Sequence, residues 1–237
     1  MSQRLYQLSD TSLAFPPLEN ALTEPNGLLA LGGDLSTPRL INAYKSGIFP
    51  WFSEHDPLLW WSPDPRAIIK IVDLKINKTL SKFLKKCPFS VSLNKDFSQV
   101  IECCSDAPFR KDGTWILPPM QQAYKQLHQQ GIAHSVEVWN QKELVGGLYG
   151  VAINGFFSGE SMFYKHSNAS KVALLYLAEH LKSAGISFID CQLLNPFLES
   201  MGSIEISREK FVKLKDKALT ISLTDDFWLS QQLNFSF

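Results

Sequence analysis

The stretch SVEVWNQKELVGGLYGVAINGFFSGESMF, residues 135–163, decides the fold class. Two runs rich in β-branched and aromatic residues, SVEVWN (135–140) and ELVGGLYGVAI (143–153), flank the polar pair Gln141-Lys142 and read as paired strands. Asn154-Gly155 is a strong hairpin signal, because both residues tolerate positive φ, and FFSGESMF (156–163) returns as the next strand.

Outward from this series the period changes. Leu174, Leu177, Ala178 and Leu181 recur at helical spacing over 168–184, with Gly185 closing the helix. SFIDCQ (187–192) is a strand, residues 195–201 form a short helix ending at Gly202, and a last helix follows Ser207. Upstream, AIIKIV (67–72) is a strand, and Asn77 caps a helix reaching about Lys86. Further helices are expected over 96–104 and from Pro118-Pro119 through Tyr124 and Leu127 to Gly131. Hairpin-connected strands followed by helix and strand give an α+β domain with a mixed sheet. Residues 1–64 differ: prolines punctuate them, and only one helix is expected, opening at Ser36 or Thr37 and closed by Gly47. The chain therefore divides into a small N-terminal domain, 1–64, and a larger domain, 65–237.

Hydrophobic residues make up 45% and charged residues 19%, which suits a globular protein and argues against disorder. There is no apolar run long enough for a membrane span, and the N-terminus lacks a basic stretch followed by an apolar block, so the cytosol is expected. None of the four cysteines makes a C-x-x-C pair and the five histidines are scattered, so reduced thiols and no metal are expected. The phosphate loop of nucleotide-binding enzymes, the G-x-G-x-x-G fingerprint and the G-x-S-x-G elbow are all absent. Cys191 could be a nucleophile, but a buried cysteine acting as a small hydrophobe explains it better.

Strand geometry puts Asp190 and Gln192 on one face, with Ile189 and Cys191 on the other, and puts Ser158, Glu160 and Met162 on a shared face. If the two strands are neighbours, two carboxylates and an amide line one patch. Such a patch suits proton handling or recognition of a cation; a buried polar pair satisfied by backbone explains it equally. Trp51 and Trp115 flank turns, where aromatics can stack on nucleobases or simply fill core, while Trp60 and Trp61 are assigned to packing. Formal net charge is +0, so any RNA contact needs a local basic surface. Lys78, Lys82, Lys85 and Lys86 fall on one helical face opposite Leu80, Phe83 and Leu84. That face is either merely solvated or a site for RNA phosphates.

The segments EPNGLLALGGDLS, GIFPWF, LWWSPDPRA, GTWI, AHSVEVW, ELVGGLYGVA, GESMF, NASK and IDCQ make the chain resemble the leucyl/phenylalanyl-tRNA–protein transferase family over most of its length. The resemblance implies a small N-terminal domain and a C-terminal acetyltransferase-like (GNAT-like) domain, with no cofactor. It implies transfer of Leu, Phe or Met from aminoacyl-tRNA to proteins with N-terminal Arg or Lys, marking them for degradation, and a monomer is expected. By this resemblance Trp51 and Trp115 hold the terminal adenosine. Phe157 and Met162, with Leu148, Leu177 and Ile189, form the amino-acid pocket. Tyr124, Glu160, Asp190, Gln192 and Asn195 form its polar part, and Lys78, Lys82, Lys85 and Lys86 meet the acceptor stem. Asp190 is expected to hold the attacking amine and relay its proton, with Gln192 orienting a reacting group. A tRNA-dependent transferase with another amine acceptor, or a non-catalytic tRNA-binding protein, also fits these features.

Overall fold

A computed structural model describes residues 4–107 and 113–237 and arranges them around two sheets. The first arises where the prolines predicted little regular structure. Its strands are β1 (Tyr6–Leu8), β2 (Leu28–Gly32), β3 (Phe49–Pro50) and β4 (Leu59–Trp61), in the order β1-β2-β4-β3, with helix α1 (Thr37–Lys45) between β2 and β3. Runs this short hide any two-residue alternation. Tertiary contacts hold them instead: Trp60 is fully buried, its indole N–H donates to the Gly32 carbonyl at 2.9 Å, and Phe15 meets its ring edge-on.

The larger sheet has eight strands: β5 (Arg66–Lys70), β6 (Ser90–Leu93), β7 (Ala133–Asn140), β8 (Glu143–Ile153), β9 (Phe156–Tyr164), β10 (Phe188–Gln192), β11 (Ile204–Ile206) and β12 (Gln231–Leu233). Their order is β11-β5-β10-β9-β8-β7-β6-β12. The β7-β8-β9 meander and β10 lie where the sequence pattern places them. The short β6, β11 and β12 lie outside the expected elements, although Phe89, Val91 and Leu93 alternate with serines into and along β6 and Ile204 and Ile206 flank Glu205 in β11. AIIKIV stops being a strand at Lys70, and a turn at Ile71–Asp73 leaves Val72 exposed. All neighbours are antiparallel except β9 and β10, which run parallel and pair only at Ser158–Asp190 among the described residues. The sheet is therefore mixed, and its one parallel seam is held at a single point.

The helices are α2 (Lys78–Leu84), α3 (Phe97–Ser105), α4 (Pro118–Gln129), α5 (Ala169–Ser183), α6 (Pro196–Ser200) and α7 (Arg208–Leu219). The side chains of Asn77, Asp96 and Asn195 accept the N–H three residues on, at 2.8 Å, 3.0 Å and 2.9 Å, which satisfies donors that a helix start leaves orphaned. Helix α2 ends at Leu84, so Lys85 and Lys86 lie in the turn after it. Alternate residues of β8 separate the two faces. Leu148 and Ala152 join the core under α5, while Tyr149 and Val151 join the core with α3, α4 and the N-terminal sheet. That second core runs without a break from Leu29, Tyr44 and Trp60 into the larger sheet.

The start of helix α5 comes close to β8 at Gly146, where an added Cβ would come within 2.5 Å of the Ala169 Cβ. Gly146→Ala should therefore destabilise the fold by about 1–3 kcal/mol through overpacking. Adding Ala169→Gly should recover part of the loss, measured as the urea unfolding midpoint of the single and double variants.

Candidate active site

Arg66 is fully buried at the start of β5, and so is Asp190 on the adjacent strand β10. A buried guanidinium needs a carboxylate and further acceptors. Here Nε and Nη2 donate to the two Asp190 oxygens, each at 2.8 Å, and Nη1 donates to the Gly47 carbonyl at 3.3 Å. The guanidinium also packs over the rings of Phe49 and Phe211, at 4.8 Å and 4.5 Å from their centroids. Asp190 takes two more donors, the Ser158 hydroxyl at 2.9 Å and the Gln192 N–H at 3.1 Å. One ion pair thus ties β5, β9 and β10 to α7 and the N-terminal region.

A second network adjoins it. Tyr44 and Tyr124, both buried, share a hydrogen bond of 2.5 Å, and the Tyr124 hydroxyl donates to Glu160 at 2.9 Å. The other Glu160 oxygen accepts the Gln192 side-chain N–H at 2.8 Å. Burial pushes the Glu160 carboxyl up to about 7, opposed by the tyrosine hydroxyls and reinforced by the charge of Asp190. Burial also keeps both tyrosines protonated, so Tyr124 remains a donor.

Where β9 and β10 part beyond Ser158–Asp190, a cavity of about 610 Å³ opens. Its wall contains Trp51, Trp115, Leu148, Phe157, Glu160, Met162, Leu177, Ile189, Gln192 and Asn195. Trp51 is anchored while partly exposed: its carbonyl accepts the Trp61 indole N–H at 2.6 Å, and the two rings meet edge-on. Trp60 and Trp61 pack, as expected. Phe49 and Pro196 also line the cavity without being singled out by the sequence pattern, and Leu174, expected only on the packing face of its helix, lines it too.

Three expectations do not match this geometry. Asp190 does not line the cavity, and both its oxygens are engaged by Arg66, Ser158 and Gln192, so it is not positioned to meet an incoming amine. Tyr124 is likewise behind the wall, where its hydroxyl donates to Glu160. The shared faces are broken by two bulges. In β9, Gly159 faces Gly150 and Ser161 faces Tyr149, leaving Glu160 as the extra residue. Phe156 and Phe163 consequently fall in one core and Phe157 and Met162 in the other, so Met162 does not share a face with Ser158. In β10 the register shifts between Asp190 and Gln192, and Gln192 takes φ 64°, which turns it into the cavity. Arg66 is absent from the expected site altogether, although an arginine opening the apolar run AIIK signals a buried charge in need of a partner.

Cys191 also lines the cavity, but burial and the nearby Asp190 push its thiol upward, so it stays protonated at neutral pH. Lys78, Lys82, Lys85 and Lys86 are not buried and lie outside the cavity wall. Among the described residues none of the four is paired with a carboxylate.

Comparison with known proteins adds the family. A model of the leucyl/phenylalanyl-tRNA protein transferase N-terminal domain matches residues 33–64, and a model of leucyl/phenylalanyl-tRNA protein transferase matches residues 68–216. The chain is 64% identical over 238 residues to the leucyl/phenylalanyl-tRNA–protein transferase of Colwellia psychrerythraea, covering 98% of this chain and 99% of that one. It is 50% identical over 234 residues to the protein of that name from Pseudoalteromonas translucida, covering 99% and 98%. The solved structure of L-PGS from Bacillus licheniformis is a distant likeness, with a TM-score of 0.41 and 12% identity over 70% of this chain and 53% of that one. Matched along nearly its whole length, the chain belongs to the leucyl/phenylalanyl-tRNA–protein transferase family.

Proposed function

We infer that this protein transfers Leu, Phe or Met from aminoacyl-tRNA to the α-amine of proteins with N-terminal Arg or Lys, marking them for degradation. It would act as a monomer in the cytoplasm. The observation that carries this reading is the cavity itself: an apolar wall of Leu148, Phe157, Met162, Leu177 and Ile189 stands beside a polar edge in which Glu160 accepts from Gln192. That combination suits an apolar amino-acid side chain whose ester is held at the polar edge. Trp51 and Trp115 in the same wall offer stacking surfaces for the terminal adenosine. Asn195 lends its side-chain oxygen to the start of α6, which fixes that part of the wall. We take the larger domain, 65–237, as acetyltransferase-like (GNAT-like), because a parallel seam that parts in mid-sheet makes room for an acyl group between two strands. Residues 1–64 would be a separate small domain that contributes Phe49, Pro50 and Trp51 to the site.

The chemistry needs little beyond placement. The α-amine attacks the ester carbonyl carbon, a C–N bond forms, and the ester C–O bond breaks. The ammonium proton passes to Glu160 and on to the departing ribose oxygen. A carboxyl at about 7 can do both near neutral pH. Gln192 and Tyr124 hold its two oxygens, and Asp190 supports Gln192 from behind through its backbone N–H. Alignment of amine and ester can itself contribute roughly 7–11 kcal/mol.

Mixing the protein with Phe-tRNA and a peptide beginning with Arg should add Phe to the peptide, seen by mass spectrometry. The rate should rise with pH through a limb near 7 as Glu160 loses its proton, in addition to the limb of the amine. Glu160→Gln should lose that limb and slow transfer by about 10²–10⁴. Stability carries the opposite sign. The folded protein keeps a proton that the unfolded chain releases near the ordinary value of 4.5, so this group's contribution falls as pH rises from there to about 7. Glu160→Gln should gain stability relative to the parent across that window. No added Phe, or an unchanged pH profile in Glu160→Gln, contradicts the assignment.

The lysine face yields a separate expectation. Replacing Lys78, Lys82, Lys85 and Lys86 by Ala should weaken tRNA binding and flatten its salt dependence by roughly 0.7–0.9 for each phosphate no longer neutralised. Folding should persist, because Leu80, Phe83 and Leu84 on the opposite side carry the packing. Unchanged affinity and slope would leave the face merely solvated.

A further inference from the structure

The cavity wall at Phe157 is held from outside. Its ring lies directly over Gly150, where an added Cβ would come within 2.5 Å of it, so the ring cannot move toward β8. On another side it stacks on Trp228, with centroids 5.9 Å apart and planes at 25°. Trp228 is not part of the cavity wall, and it lies beyond residue 216, where the family model's match ends.

Trp228 is itself fixed on several sides. His134 of β7 stacks on it at 4.0 Å and 10°, and Phe227 and His180 meet its ring edge-on at 5.0 Å and 5.5 Å. The Trp228 carbonyl accepts the Asn94 side-chain N–H at 2.6 Å, and Asn94 also accepts the Ser135 N–H at 2.9 Å. Burial holds His134 down at about 3, so it remains a neutral stacking partner. Three residues on, β12 pairs with β6 and secures the segment to the sheet edge. This is far more restraint than a loosely packed terminal segment receives.

We propose that Trp228 is a specificity-determining positioning residue: it braces Phe157 and so sets the depth of the cavity for the transferred amino acid. The proposal rests on the reading of that cavity as the amino-acid pocket. With the indole in place Phe157 cannot retreat, and the space suits side chains the size of Leu or Phe. A smaller residue at 228 lets the ring move back and deepens the cavity. A larger side chain then gains room, while Leu fits more loosely.

The test compares the parent with Trp228→Phe and Trp228→Leu, using Phe-tRNA and Leu-tRNA with one Arg-initiated peptide. Binding of non-hydrolysable Phe- and Leu-amide analogues of 3′-aminoacyl-adenosine is measured by calorimetry, together with the affinity for deacylated tRNA. We expect Trp228→Leu to shift the Phe:Leu ratio of kcat/KM about ten-fold or more toward Phe, the scale of a misfit of one or two methylenes. The calorimetric ratio should shift likewise, deacylated tRNA affinity should hold, and Trp228→Phe should fall in between. Parent-like ratios in both folded variants, or equal losses for both donors, overturn the proposal. If the parent discriminates normally while the ratios stay fixed, only the bracing role fails. If the parent binds neither analogue, the pocket reading fails and takes the proposal with it.

Discussion

The buried pair Arg66–Asp190 is the constraint on which the rest of the arrangement depends. Two charges removed from water are tolerable only with close geometry and satisfied hydrogen bonds, and this pair has both. The pair spans adjacent strands and is flanked by one aromatic from the N-terminal region, Phe49, and one from the last helix, Phe211. Segments distant in sequence are thereby fixed around one guanidinium. Ser158 joins it at the single point where β9 and β10 pair, so the place where the seam is pinned and the place where it opens are adjacent.

From that anchor the polar edge of the cavity follows. The Gln192 backbone N–H is tied to Asp190, its side chain is tied to Glu160, and Glu160 is held in turn by Tyr124 and Tyr44. The carboxylate that fills its valences with a guanidinium is suited to support. The carboxyl in contact with the cavity, Glu160, is desolvated beside the neutral donors Tyr124 and Gln192, and burial pushes it up to about 7. Two acids close to each other in space therefore take different work from their surroundings.

Much of this is legible in the sequence, and the remainder is not for identifiable reasons. The β7-β8-β9 meander, α5 and β10 announce themselves by period, and the Asn and Asp caps mark helix starts. The apolar members of the cavity wall follow from family likeness, whereas Trp51 and Trp115 are also marked by their place beside turns. The four-stranded N-terminal sheet escapes a sequence reading because strands of two to five residues show no period. The face expected for Asp190, Gln192, Glu160 and Met162 is not kept because alternation assumes regular strands, and the bulges at Glu160 and beside Cys191 reset it, while the place of Tyr124 behind the wall depends on tertiary packing of α4. Trp228 gives no signal, because its bracing depends on a ring contact across 71 positions of sequence that no local pattern encodes.

Asp190 is a partner of Arg66 first, and its effect on the site passes through that pair. A double-mutant cycle on unfolding free energy tests this most directly, using Arg66→Met, Asp190→Leu and the two combined. Each single change should cost about 3–5 kcal/mol by leaving a buried charge unpaired, while the double variant should be no worse than either single one. Additive losses would mean that the two residues act independently, and would contradict the anchoring role of the pair.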